Sequence, residues 1–197
     1  MEGQKLEQLN QIIEEFKTKN IIDAKPSFIK TKAYYFTLNN GKMVKREQIF
    51  KGERDGSAAI IIPYVGNNIL LVVEPRVFTK EGVGVGFPAG YIEAYEDPKE
   101  AALRELREET GLVPERIEEI DSFYQDEGCS SAFNHIFIAY DCKKVYEQEL
   151  DKDEYIKYME FTEEEVFELE DKGYIKGCNS KLGIARLRSR KWKNLTH

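Results

Sequence analysis

Between Gly90 and Leu112 the chain reads GYIEAYEDPKEAALRELREETGL. Glu105, Glu108 and Glu109 stand at i, i+3 and i+4, which on a helix places three carboxylates on one face. Like charges so placed repel, so the pattern adds nothing to a bare helix. It is either a solvated acidic surface or a platform for a hard cation, because Mg²⁺ and Mn²⁺ prefer carboxylate oxygens.

The flanking residues favour the platform. Asp97-Pro98 signals a helix start, with Asp97 as N-cap and Pro98 in the first turn. Ala101, Ala102, Leu103 and Leu106 supply an apolar side. Thr110-Gly111 stops the helix, with Gly111 suited to a left-handed cap. A short helix with one packed and one acidic face, entered from a glycine-bearing loop, can present carboxylates from a rigid base.

Gly90, Glu96, Arg104-Glu105-Leu106, Glu108-Glu109 and Gly111-Leu112 resemble, at every defining position, the signature box of the Nudix hydrolases. The resemblance implies that Glu105 and Glu109 are metal ligands, with Glu108 helping and the backbone carbonyl of Ala89 as a further ligand. Mg²⁺ is the implied cofactor, with Mn²⁺ able to substitute. Arg104 is expected to pair with Glu96 and tie the loop to the helix. The implied fold is α/β: a Nudix-type α/β/α sandwich with a mixed sheet, here preceded by a small N-terminal antiparallel β subdomain. We divide the chain at 1–55 and 56–197.

The flanks are similar to the ADP-ribose pyrophosphatase group of that family. Phe87-Pro88-Ala89-Gly90 resembles the element that opens its box. Glu74-Pro75-Arg76 resembles its Gln-x-Arg element, which puts Arg76 where a diphosphate-facing guanidinium is expected; its planar fork suits bidentate phosphate contact. The loop QDEGCSS, 125–131, falls where that group often carries Ser-Pro-Gly, and Glu127 replaces the proline. The acidic loop 146–156 corresponds to one that brings a glutamate to the metal. Glu154 is the first candidate and Asp153 the second. The general base is then Glu154 or a box glutamate such as Glu108. The expected reaction is hydrolysis of a nucleoside diphosphate derivative, ADP-ribose or another nucleoside diphosphate sugar. Nucleoside triphosphates and dinucleoside polyphosphates are the alternative substrates, and a ligand-sensing module is the alternative outside catalysis. A homodimer across the N-terminal sheet is implied by analogy.

The rest of the chain sets the context. Leu6, Leu9, Ile12, Ile13 and Phe16 recur at helical spacing and predict an amphipathic helix, packed on the core or on a partner. Asn39-Asn40-Gly41-Lys42 predicts a hairpin turn within 26–52. Tyr35, Phe36 and Phe50 are read as packing residues of that hairpin. Ala58–Val65 and Ile69–Val73 are nearly all apolar, as central strands buried on both faces are. Strands are expected at 117–124, 133–140 and 158–161, with His135 a packed strand residue. Thr162 to Glu165 forms a capping box, and Asn179 or Ser180 is expected to cap a final helix. The basic segment Arg186–Lys193 docks on the acidic body or frays.

With 36 acidic against 29 basic residues the net charge is −7, which argues against non-specific binding of long nucleic acid. Three cysteines without CxxC spacing point to reduced thiols in a cytoplasm. Met1–Phe16 is too charged for a signal peptide, and no apolar run approaches the roughly 18 residues of a membrane span.

Overall fold

The computed structural model describes residues 3–52 and 54–195, with side chains as far as Lys191. Trp192 and Lys193 in the basic tail therefore lie outside the described side chains, and His197 lies outside the described residues. In chain order the elements are α1 (Gly3–Phe16), β1 (Ile29–Thr37), β2 (Met43–Lys51), β3 (Ala58–Val65), β4 (Asn68–Pro75), β5 (Val83–Gly86) and β6 (Ala89–Tyr91). Next come α2 (Pro98–Thr110), β7 (Leu112–Val113), β8 (Arg116–Tyr124), β9 (Phe133–Tyr140), β10 (Lys143–Lys144), β11 (Lys157–Thr162), α3 (Glu163–Asp171) and α4 (Cys178–Leu195).

The apolar runs form a mixed seven-stranded sheet in the order β11-β4-β3-β9-β8, to which β5 adds through β4 and β6 through β3. Among the described residues only β3 and β9 pair in parallel. Alternation along these strands feeds two cores. Ile60, Ile62, Ile69, Leu71, Ile136 and Ile138 face one cluster, which α1, α3 and α4 cover through Leu9, Val166, Leu169, Ile184 and Leu187. Ala59, Ile61, Leu70, Val72, Phe137 and Ala139 face the other, which α2 covers through Ala101, Ala102 and Leu106. The central strands are therefore buried on both faces, as their unbroken apolar sequence requires.

The glycine-rich stretch has a structural use. β3 and β4 pair only near their turn, at Tyr64↔Ile69 and Val65↔Asn68. Beyond it they part, and 83–91 fills the split. β5 pairs with β4 from Val72↔Gly86 to Pro75↔Val83, and β6 pairs with β3 from Ile60↔Ala89 to Ala58↔Tyr91. The Pro88 carbonyl closes the junction by accepting the Ile61 N–H at 2.9 Å. Ala89 and Gly90 thus sit in the middle of the sheet, under α2.

β1 and β2 form a separate two-stranded sheet in continuous register from Ile29↔Lys51 to Thr37↔Met43. Loop 125–131 tethers its base: Ile49 N–H donates to the Cys129 carbonyl (2.8 Å), and Gln48 Nε2 to Ser131 Oγ (2.9 Å). Helix α1 uses its apolar face on the main core, where Leu9 is fully buried. Lys5–Glu165 and Lys157–Glu15 ion pairs, both 2.6 Å, flank it.

The final helix begins earlier than its sequence signal. Asn179 and Ser180 lie inside the first turn of α4, because their side chains are used elsewhere. Ser180 Oγ accepts the Phe87 N–H at 3.0 Å, and Asn179 Oδ1 accepts from Asn134 at 3.2 Å. The basic residues of α4 dock on the body through Arg186–Asp121 (2.5 Å), Arg188–Asp171 (2.9 Å) and Arg190–Glu118 (3.3 Å). Truncating Leu9 to Ala leaves a cavity under α1. We expect a loss of about 2–5 kcal/mol in urea unfolding, and a loss under about 0.5 kcal/mol would place α1 outside the cooperative core.

Candidate active site

Helix α2 carries the acidic groups and is fixed at both ends. Asp97 caps the start, its carboxylate accepting the Lys99 N–H at 2.9 Å. Gly111 ends it at φ 70°, and its N–H donates to the Arg107 carbonyl at 2.7 Å. The last-turn carbonyls, orphaned in any helix, are met by β10 and the loop that follows it. Glu149 N–H donates to the Glu108 carbonyl (2.9 Å), Gln148 Nε2 to that of Glu109 (2.6 Å) and Lys144 Nζ to that of Thr110 (2.9 Å). This stitching holds loop 145–156 against α2 and brings Glu154 within electrostatic reach of Glu105 and Glu109.

Glu105 and Glu109 face into the protein, 8% and 4% exposed, whereas Glu108 sits at the edge. Ala89 and Gly90 lie beneath them. A side chain at Gly90 would occupy the space of the Glu105 carboxylate, so the glycine gives room to a box acid. The Ala89 backbone hydrogen-bonds to Glu109. Glu109 Oε2 is buried and has no hydrogen-bond partner among the described residues.

Arg104 counterbalances this charge. Its guanidinium meets Glu96 through Nε (2.8 Å) and Nη2 (3.0 Å), Glu105 and Glu108 through Nη1 (2.7 and 3.1 Å), and the Tyr91 carbonyl through Nη2 (3.0 Å). The expected Arg104–Glu96 tie is present, and Arg104 also holds two box carboxylates. With Arg104 among them, the acids are spread: no three His, Cys, Asp or Glu side chains among the described residues already converge as a metal cage.

The electrostatics follow from burial. Burial lifts the Glu105 carboxyl to about 7 against the opposing pull of Arg104, with Glu108 and Glu154 adding to the rise. Burial lifts Glu109 well above the carboxylate range, and the charges of Glu74, Glu105 and Glu154 push it further. Buried carboxylates, one with an orphaned oxygen beside a main-chain group, fit a hard divalent cation as the missing partner.

Glu74 is the member not anticipated. It ends β4 on the face that Leu70 and Val72 present to α2, and burial raises its pKa. The i+2 alternation from Leu70 sets which face of β4 Glu74 occupies, but not that this face meets α2. Arg76 Nη2 pairs with Glu74 at 2.5 Å and otherwise stands largely in solvent, so the guanidinium is beside the acids and accessible. Glu154 places its carboxylate on the Asp151 N–H at 3.0 Å. His135 is a strand residue paired with Glu119 at 2.8 Å, as expected.

The NUDIX domain model matches residues 54–177. The chain belongs to the Nudix family. The ADP-ribose pyrophosphatase of Bacillus subtilis (strain 168) is 35% identical over 133 residues, which cover 67% of this chain and 70% of that protein. The methanol dehydrogenase activator of Bacillus methanolicus is 35% identical over 132 residues, 66% of this chain and 69% of that one. Among solved structures, an ADP compounds hydrolase superposes with a TM-score of 0.73 at 20% identity, covering 87% of this chain and 91% of that chain. That likeness shows the α/β fold with its mixed sheet. This protein is a Nudix hydrolase, and enzymes of the family work with divalent cations.

The raised pKa values carry a sign. A carboxyl whose folded pKa lies above its unfolded value binds more protons in the folded state, so stability falls as pH rises between the two. For Glu105 that window runs from the ordinary carboxyl value of 4.5 to about 7. In EDTA the midpoint of thermal unfolding should fall across this window. Glu109→Gln, which removes a buried uncompensated charge, should raise the midpoint at pH 8 in EDTA. A lower midpoint for Glu109→Gln would contradict the burial argument.

Proposed function

We propose that this Nudix hydrolase cleaves the diphosphate bond of a nucleoside diphosphate derivative, ADP-ribose or another nucleoside diphosphate sugar. The products would be a nucleoside monophosphate and a sugar phosphate, and Mg²⁺ the cofactor, with Mn²⁺ as a substitute. The observation that carries the reading is the pair of buried carboxylates, Glu105 and Glu109, set against the Ala89 backbone with one oxygen unpaired. The name of the Bacillus subtilis relative supports the substrate class.

Glu105 and Glu109 would hold the metal, with Glu108 and the Ala89 carbonyl completing the protein's share. When bound, the cation supplies neutralisation of diphosphate charge and a lowered pKa for water. Arg76 would exchange Glu74 for a diphosphate oxygen, because a guanidinium meets a dianion as well as a carboxylate. Arg104 keeps the acidic face in place through Glu96. The Glu154 carboxylate would accept the proton of the attacking water, and Glu108 is the alternative base. A new P–O bond forms from water as the bridging P–O bond breaks.

Residues 1–55 form an accessory unit whose helix α1 packs on the core of the hydrolase domain, 56–197. Two copies pair through the hairpin, where Tyr34, Tyr35, Phe36 and Met43 are exposed. The protein works in the cytoplasm on a small molecule, with no nucleic acid or membrane partner. No described helix is long and apolar enough to cross a membrane.

A panel of nucleotides with Mg²⁺ and product identification tests the reading. We expect turnover of nucleoside diphosphate sugars to a monophosphate and a sugar phosphate. Glu109→Gln should lower the rate about 100-fold or more, the scale of several kcal/mol of charge stabilisation. Full turnover by both Glu105→Gln and Glu109→Gln would refute the metal assignment. Glu154→Gln should lose the acidic limb of the pH–rate profile; an unchanged profile would pass the proton to Glu108.

A further inference from the structure

A cavity of about 980 Å³ opens beside the acidic centre, between β5, the start of α4 and the end of α1. It starts at Glu74, Arg76 and Ala89 and runs along β5 to the start of α4 and to Lys17 at the end of α1. Its size falls within the range of small-molecule sites. β5 forms its floor because it is glycine-rich. A Cβ at Gly84 would crowd Arg76 Cγ, and one at Gly86 would collide with Ser180 Oγ. The two glycines therefore let a guanidinium and a hydroxyl lie against the strand.

One wall group has a fixed orientation. The Ala58 N–H can only donate, and it donates to Asn134 Oδ1 at 3.0 Å. The other end of the Asn134 amide, Nδ2, then donates to Asn179 Oδ1 at 3.2 Å. Asn134 is fully buried, so this relay is shielded from water. With Oδ1 of Asn179 committed inward, its Nδ2 is the end of the amide left to donate toward the cavity that Asn179 lines. The exposed aromatic pair near the site, Phe28 and Tyr91, with centroids 5.9 Å apart, lies outside this cavity. The cavity lining instead supplies polar donors and the lysines Lys17, Lys80, Lys172 and Lys176.

We propose that this cavity holds the non-nucleoside half of the substrate, a phosphorylated polyol such as a sugar phosphate. Asn179 is a specificity-determining residue that donates Nδ2–H to a sugar oxygen, and Asn134 is the positioning residue that fixes it. The proposal rests on the nucleoside diphosphate sugar reading above.

The test uses the full chain in EDTA, so that it does not depend on turnover. Ribose 5-phosphate is titrated and the Asn179 side-chain amide signal is followed by ¹⁵N NMR, with adenosine monophosphate titrated in parallel. Ribose 5-phosphate should move that signal saturably and adenosine monophosphate should not. Asn179→Asp, which replaces the donor by an acceptor, and Asn179→Ala should each weaken ribose 5-phosphate binding about tenfold, the scale of one hydrogen bond. An Asn179 signal moved by adenosine monophosphate and not by ribose 5-phosphate would overturn the assignment. So would unchanged ribose 5-phosphate affinity in both folded variants. Failure of the nucleotide panel would instead sink the catalytic reading, and the titration would still decide what the cavity takes.

Discussion

Everything in this molecule turns on two carboxylates that the fold buries together. Glu105 and Glu109 project from α2 into a sheet split open by its own glycine-rich strand, and one Glu109 oxygen is left without a partner. Hydrophobic burial of Ala101, Ala102 and Leu106 on the same helix holds them there, since α2 cannot pack its apolar side without driving its acidic side against Ala89 and Gly90. The cost of desolvating these groups is borne by the apolar contacts and partly offset by Arg104. A site so built favours a small hard cation, which the rest of the arrangement can then aim at a diphosphate.

The pieces around that centre are each set by a local need that also serves the site. The C-terminal carbonyls of α2 require donors, and meeting them from the loop after β10 delivers Glu154. The divergence of β3 and β4 requires a filling strand, and its glycines open both the space for Glu105 and the floor of the adjoining cavity. β4 alternates its faces, so the strand that supplies Leu70 and Val72 to the core also supplies Glu74 to the acids.

Much of this was legible in the amino-acid order. The box helix, its two caps, the doubly buried strands, the hairpin and the capping box at Thr162 are all local signals, and each stands where it was expected. Arg104–Glu96 was legible because both partners belong to one spaced motif. Three features were not. Glu74 joins the acids only because β4 runs beneath α2, a long-range fact. The Asn134–Asn179 relay links residues 45 apart in the chain, and it engages a side chain that local propensity would assign to capping α4. The hold of Arg104 on the adjacent Glu105 depends on side-chain packing that spacing does not reveal, whereas its contact with Glu108 is an ordinary i,i+4 helix pair.

Direct measurement of metal affinity tests the central claim most simply. Mn²⁺ binding can be followed by loss of the free-ion electron paramagnetic resonance signal, without substrate. The account predicts saturable binding by the native protein, and at least about tenfold weaker binding by Glu105→Gln, as expected when a charged ligand is lost. Equal affinity in the two proteins would contradict it, because the buried carboxylates would then not be what holds the cation.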